Sequence, residues 1–296
     1  MHIPDGFLTP PVWGAFDVIA LPAVALVARR AEALKDDRNL PLLGVMGAFV
    51  FAAQMINFPV GPGTSGHLVG GTLLVIVLGP AAATMVMTAI LAIQALVFQD
   101  GGIIALGANV FNMAVAGVLA GYLPYRFWAA QWRSAAIFTG GVLSVLTSAC
   151  LALAELLTSG VPMSRRILML SLGLFLVSAF IEGAITLAAV RAIERMNPRW
   201  VPRLEPAGSR VMGVVAIAAV VLVMGGILIA SAQPDGIERL VGGGSPVWSH
   251  APLADYQIRG IDSPWLRRAG AGAAGLVLIY GISVLTGRLL ARQRSS

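Results

Sequence analysis

Eight apolar stretches, most of them near twenty residues long, leave this chain few ways to fold. They run Val12–Ala28, Leu40–Phe58, Leu68–Phe98, Ile103–Leu123, Ala135–Leu157, Ile167–Val190, Val211–Ser231 and Ala269–Leu290. About 20 apolar residues in a helix cross the roughly 30 Å of bilayer hydrocarbon. Inside that layer every backbone amide must be paired within the protein, which a helix does by itself. Charged residues make up 11% of the chain, against about 25% in soluble domains. The reading is an all-α polytopic membrane protein, and it excludes a disordered chain or a soluble enzyme. The single cysteine, Cys150, excludes an internal disulfide and a cysteine-based metal site.

Leu68–Phe98 is too long for one crossing: 31 residues make a helix of about 46 Å. Gly79-Pro80 interrupts it, and that pair breaks a helical hydrogen-bond ladder. Basic loops decide the count, because they stay on the cytoplasmic side. Arg29, Arg30, Lys35 and Arg38 form one cluster, Arg126 and Arg133 a second, the arginines from Arg191 to Arg210 a third, and Arg288, Arg292 and Arg294 the last. All four share a side only if the long segment crosses twice. Nine spans are therefore expected, the third one short, with the N-terminus outside and the C-terminus cytoplasmic. Arg165 and Arg166 fall outside in this scheme and are its exception. No secretory signal precedes the first span, so Met1 is expected to carry a free amine. Residues 1–200 form a seven-span unit. Residues 201–296 follow an arginine- and proline-rich linker and carry two transmembrane helices flanking an outer loop, 232–268, long enough to fold or bind something.

Histidines are scarce: His2, His67 and His250 are the complete set. His2 stands one residue from the terminal amine. That amine, the deprotonated amide nitrogen of His2 and its imidazole can lie in one plane, a donor set suited to square-planar Ni(II) or Cu(II). The span count puts His67 on the same face, as the candidate fourth donor; the plainer readings are a surface residue near the terminus for His2 and a helix-start residue bonding a backbone carbonyl for His67. It ends an irregular stretch, Asn57–His67, rich in Pro and Gly, and such backbone is tolerated at a membrane where it lines a cavity or is buried in protein. Asn57, Thr64, Ser65, Asp100 and Asn109 are candidates to orient these ligands. The plainer readings are that Thr64 and Ser65 cap the next helix, that Asp100 belongs to an ordinary turn and that His250 is a solvated loop residue. Asp17, Gln54, Gln94, Asn112, Glu155 and Glu182 are polar groups within spans, Glu182 the deepest, and such groups face the protein interior. A phosphate-binding loop of the Gly-Lys-Ser/Thr type is absent. A different-class reading, a membrane metalloenzyme with zinc on Glu155, Glu182 and His67, has no spaced motif behind it.

The opening Met1-His-Ile-Pro-Asp-Gly-Phe-Leu8, the stretch Asn57-Phe-Pro-Val-Gly-Pro-Gly-Thr-Ser-Gly-His67, and Gln99-Asp-Gly-Gly with Ala108-Asn-Val-Phe-Asn112 resemble the substrate-binding M component of cobalt and nickel transporters. These belong to the energy-coupling factor class of ABC importers. Pro234-Asp-Gly-Ile-Glu-Arg239 and Pro252-Leu-Ala-Asp-Tyr-Gln257 resemble the small N component, with Ile237 in place of the usual leucine. The chain thus looks like an M–N fusion. The resemblance implies a seven-helix bundle like other substrate-binding components, and a metal held by the Met1 amine, the amide and imidazole of His2, and the His67 imidazole. It implies a transmembrane coupling protein (the T component) and two ATPase subunits as partners, and a place in the bacterial plasma membrane. No resident cofactor is expected; Ni2+, or Co2+, is cargo. Pro4-Asp5 and the fused N-like module lean toward nickel. The alternatives are cobalt uptake for cobalamin synthesis and a stand-alone metal channel or sensor.

Overall fold

A computed structural model describes residues 1–29, 40–61, 64–196, 209–226 and 251–292, with residues 228, 230 and 237 between the last two. Much of the first basic loop, the linker around residue 200 where a module boundary was expected, and residues 238–250 with His250 lie outside the described residues.

Helix α1 (Pro10–Ala28) opens with proline in its first turn, where the missing amide proton costs nothing. Helix α2 (Leu40–Gln54) is apolar on every side and buried along nearly its whole length, as an element at the centre of a bundle must be. A short antiparallel hairpin, β1 (Phe58–Gly61) and β2 (Thr64–Gly66), follows. Helix α3 (Gly71–Leu78) ends at Gly79, whose φ of 80° closes to side chains the turn into α4 (Pro80–Ile93). Helix α4 runs on through a π-helical turn, Gln94–Phe98. The break expected at Gly79-Pro80 is real. Its first half has only eight residues, about 12 Å of rise, so α3 reaches partway through a bilayer.

Helix α5 is composite: Leu106–Asn109, a π-helical stretch Val110–Gly117, and the first part of Val118–Thr158. That last segment bends at Trp132 (φ −130°, ψ 60°), and the leg beyond the bend is α6 (133–158). Helices α7 (Arg165–Met196), α8 (Ser209–Gly226) and α9 (Pro264–Arg292) complete the chain, and α8 and α9 pack along α2. Among the described residues five helices are long and apolar enough to cross a membrane: Pro10–Ala28, Pro80–Phe98, Leu106–Thr158 with its two legs, Arg165–Met196 and Pro264–Leu289. Leu40–Gln54 and Gly213–Gly226 are apolar but shorter. In order along the chain, α1 through α9 fall on the nine expected apolar segments; α3, with eight residues, is too short to cross alone.

The bundle has two distinguishable ends. Asp5 accepts a hydrogen bond from Ile104 N (2.8 Å), and Thr9 N donates to Ser159 Oγ (3.2 Å), so the N-terminus sits where α5 begins and α6 ends. Each leg is some forty ångströms long by helical rise, which places the Trp132 bend at the far end. There Arg133 pairs with Glu194 (Nε to Oε1, 2.7 Å) and Arg191 donates to Ser134 (2.8 Å). The arginine-rich ends of α5, α6 and α7 therefore gather opposite Met1.

One correction concerns the segment before α3. Thr64 and Ser65 were candidates to cap the next helix; they lie instead in strand β2, and α3 starts only at Gly71, with Gly70 in the left-handed region at its N-cap and no side-chain cap. The strand takes the chain inward. Glu182, midway along α7, accepts Val69 N and Gly70 N at 2.8 Å each. Both carboxylate oxygens satisfy amides that no helix or strand would pair at that depth.

Candidate metal site

The first residues are pinned as an extended arm. Ile3, fully buried, donates its N–H to Asn109 Oδ1 (2.8 Å), and its carbonyl accepts from Asn109 Nδ2 (3.0 Å) and Gly102 N (2.9 Å). Asn109 does this from the first turn of α5, where its amide matches one residue's backbone on both sides. Gly102 allows the approach: a Cβ there would lie 2.7 Å from Asp5 N and 2.9 Å from the Pro4 carbonyl carbon.

With Ile3 fixed, Met1 and His2 can go in few directions. Met1, His2 and His67 are all buried, at 8%, 4% and 9% exposure. The Met1 amine donates to His67 Nε2 at 2.7 Å, while His67 Nδ1 lies 2.9 Å from Leu68 O. That second contact fixes the tautomer: Nδ1 carries the proton and Nε2 turns its lone pair toward the amine. The His2 and His67 rings are stacked, with centroids 5.2 Å apart and planes within 9°. Metal–nitrogen bonds of about 2.0 Å in a square plane put adjacent donors roughly 2.8 Å apart. The amine and His67 Nε2 already stand at that spacing, as neighbouring corners. The amide nitrogen and imidazole of His2 would be tied to the amine by fused five- and six-membered chelate rings and are the candidates for the other two.

His2 Nδ1 lies 2.9 Å from Asp100 Oδ1, out of line for a hydrogen bond, and neither ring nitrogen has another hydrogen-bond partner among the described residues. Buried polar atoms are almost always bonded, so a buried Nε2 with no described partner, and an Nδ1 that meets only a carboxylate, mark a ring with donor capacity to spare. Burial alone would raise the Asp100 carboxyl; the neighbouring His2 ring, His67 and the Tyr256 hydroxyl outweigh it and hold the carboxyl far below the usual carboxylate range. Asp100 is thus a fixed negative charge at the site. A divalent ion with one deprotonated amide carries a single positive charge, and Asp100 balances it, which matters in a buried pocket.

The other anticipated neighbours divide. Asn109 acts through Ile3, and Ser65 lines a cavity with Met1, His67, Val145, Phe175 and Ser178. Thr64 is buried in β2. Asn57 is half-buried ahead of β1, and none of the described hydrogen bonds joins it to Met1, His2 or His67. The zinc reading is not met: Glu182 is spent on Val69 and Gly70, Glu155 pairs with Asn112 Nδ2 (2.9 Å), and no group of three His, Cys, Asp or Glu side chains assembles among the described residues. Tyr256 had no role in the sequence reading, yet its hydroxyl donates to Asp100 Oδ2 at 2.5 Å.

Comparison with known proteins identifies the family. The profile of the CbiM family, described as the cobalt uptake substrate-specific transmembrane region, matches residues 2–200. A fused chain of Archaeoglobus fulgidus assigned to nickel transport under the name NikMN is 32% identical over 289 residues, covering 95% of this chain and 96% of its own. The cobalt transport protein CbiM of Acetoanaerobium sticklandii is 38% identical over 52% of this chain and 67% of its own length. A crystal structure of a truncated transition metal transporter superposes with a TM-score of 0.59 at 30% identity, covering 66% of this chain and 99% of that one.

Proposed function

This chain belongs to the CbiM family of cobalt-uptake substrate-specific transmembrane regions, and from that premise we propose that it captures one Ni2+ ion at its N-terminus for import, with Co2+ as the second choice. A nickel or cobalt transport component is not an enzyme, and its metal is cargo. The observation that carries the proposal is the 2.7 Å approach of the Met1 amine to His67 Nε2, with His2 stacked beside it.

Four nitrogens in one plane favour Ni2+ over ions that prefer tetrahedral or octahedral oxygen sites. The family profile is named for cobalt, whereas the similar chain that spans both modules is assigned to nickel; the planar donor set and the fused architecture support nickel. The arginine-rich end opposite Met1 supports a topology with the metal site outward and both basic ends of α7 and α9 in the cytoplasm. The sequence holds no phosphate-binding loop, so the energy for release comes from separate subunits: a transmembrane coupling protein and two ATPases.

In this reading the ion enters from outside, and the amine, the amide and the imidazoles give up protons or solvent as they bind. The ion takes over His2 Nδ1 and leaves Asp100 beside it as the counter-charge. The test is an N-terminal extension of two residues, which carries the amine up to about 7 Å from its corner. The extended protein should reach the membrane, yet neither retain Ni2+ after purification nor support nickel uptake in cells. Nickel retention equal to that of the unextended chain would overturn the site. Supplying Ni2+ and Co2+ together and measuring both in the purified protein decides between the two metals.

A further inference from the structure

We infer that Tyr256, in the outer loop of the C-terminal module, is a positioning residue of the metal site and acts on it through Asp100. The inference rests on the metal site proposed above.

Residues 251–258 do not hang free. Leu253 N donates to Val97 O (3.0 Å), and the Tyr256 ring stacks on Phe98 with centroids 4.7 Å apart. Phe51 of α2 packs at the edge of the same pair, 6.1 Å from the Tyr256 ring. The loop is thereby seated on the π-helical turn that ends α4, one residue before Gln99-Asp100.

The Tyr256 hydroxyl is a link in a hydrogen-bond chain whose donation runs outward in both directions from Gln94. It donates to Asp100 Oδ2 (2.5 Å), and the other oxygen of that carboxylate faces His2 Nδ1 at 2.9 Å. It accepts from Gln94 Nε2 (3.3 Å), which also donates to Gln54 Oε1 (2.9 Å). Gln54 Nε2 in turn donates to Val69 O (2.7 Å), two residues beyond His67. One arm of the chain ends at Asp100, whose other oxygen faces His2, and the other at Val69, two residues beyond His67. The two ligands come from segments 65 residues apart in sequence, and this circuit, through a hydroxyl of the second module, sets their relation. Partners that orient a ligand's neighbour act on metal affinity almost as strongly as partners of the ligand itself. A carboxylate held by two opposed groups cannot swing away from an arriving cation or from the imidazole it faces.

The test uses the full chain, purified and loaded with Ni2+, in four forms: wild type, Tyr256→Phe, Asp100→Asn and the double variant. Tyr256→Phe keeps the ring on Phe98 and removes the hydroxyl alone. The readouts are the rate of nickel loss to an excess of chelator and the absorption band of bound Ni2+, which a merely structural role would leave in place. Tyr256→Phe should lose nickel about tenfold faster, at the low end for outer-sphere partners, with a shifted band. In the double variant nickel loss should match that of Asp100→Asn alone, because the hydroxyl acts through that carboxylate. An unchanged rate and band in Tyr256→Phe would overturn the inference, as would effects that multiply in the double variant. Failure of the wild-type chain to hold nickel would instead sink the metal site itself, so the two failures are told apart.

Discussion

Replacing Asn109 by alanine tests whether the metal site is built by anchoring the chain terminus. The side chain makes two hydrogen bonds to Ile3 and none of the proposed metal bonds. Its loss leaves the Ile3 N–H without a described partner in a fully buried position, whereas the Ile3 carbonyl keeps Gly102 N. A buried amide stripped of its acceptor costs about 1–3 kcal/mol. Met1 and His2 are productive donors only while the arm is seated, so the cost appears as a smaller competent fraction, and apparent affinity falls in proportion. A loss of about 2 kcal/mol is close to thirtyfold in affinity, and this is an upper limit, because part of it is hidden if the seated state exceeds the unseated one by a wide margin. Titration of the purified chain with Ni2+ reads this directly, with thermal melting of the metal-free protein beside it. The expected pattern is weaker nickel binding by roughly five- to thirtyfold with a metal-free melt close to wild type. A lowered melt together with unaltered nickel affinity would refute the anchoring argument, since it would make Asn109 a packing residue only.

Four further outcomes follow from the same geometry. His67→Ala removes one of four donors, and the purified variant should contain little or no nickel by elemental analysis. Gly102→Ala sets a Cβ 2.4 Å from Asp5 Oδ1 and under 3 Å from backbone of Pro4 and Asp5, so the arm must lift, and nickel retention should fall although Gly102 touches no ligand. Glu182→Gln presents an amide donor where Val69 N and Gly70 N both donate; the metal-free protein should melt earlier, by an amount corresponding to about 1–3 kcal/mol. Nickel binding should weaken as pH falls, because the amine, amide and imidazoles must all be free of protons. Asp100 does not set that pH window, because its carboxyl is held well below the ordinary carboxylate range. Calorimetry in buffers of different ionisation enthalpy should accordingly show protons released with each nickel bound.

What the sequence made legible follows from how local each signal is. Apolar length and arginine placement are one-dimensional, and they were enough to order α1 through α9 and to place the Gly79-Pro80 break. His2 beside a terminal amine is a chelate that needs no tertiary structure, and the sided loops sufficed to bring His67 to it. The hairpin was not legible. Phe58–Gly61 and Thr64–Gly66 are too short to show an alternation, and Thr64-Ser65 reads equally well as a cap. What holds that segment is Glu182, more than a hundred residues later, and the sequence showed only that this carboxylate was too deep to be idle.

Tyr256 marks the limit from the other side. It sits in a loop whose composition says nothing about contact, and its partner Asp100 is 156 residues away. The one clue was indirect: a polar loop too long to be a mere connection must contact something. That the contact falls on the carboxylate facing His2 has a physical consequence for the whole molecule. A buried site must be charge-balanced when filled, and here the balancing charge, Asp100, lies within the residues that match the family profile while the hydroxyl that holds it, on Tyr256, lies beyond them. In the proposed site, nickel retention is tied to whether residues 251–258 remain seated on Phe98. Unseating them removes the Tyr256 hydrogen bond from Asp100 and leaves the proposed ligands themselves in place.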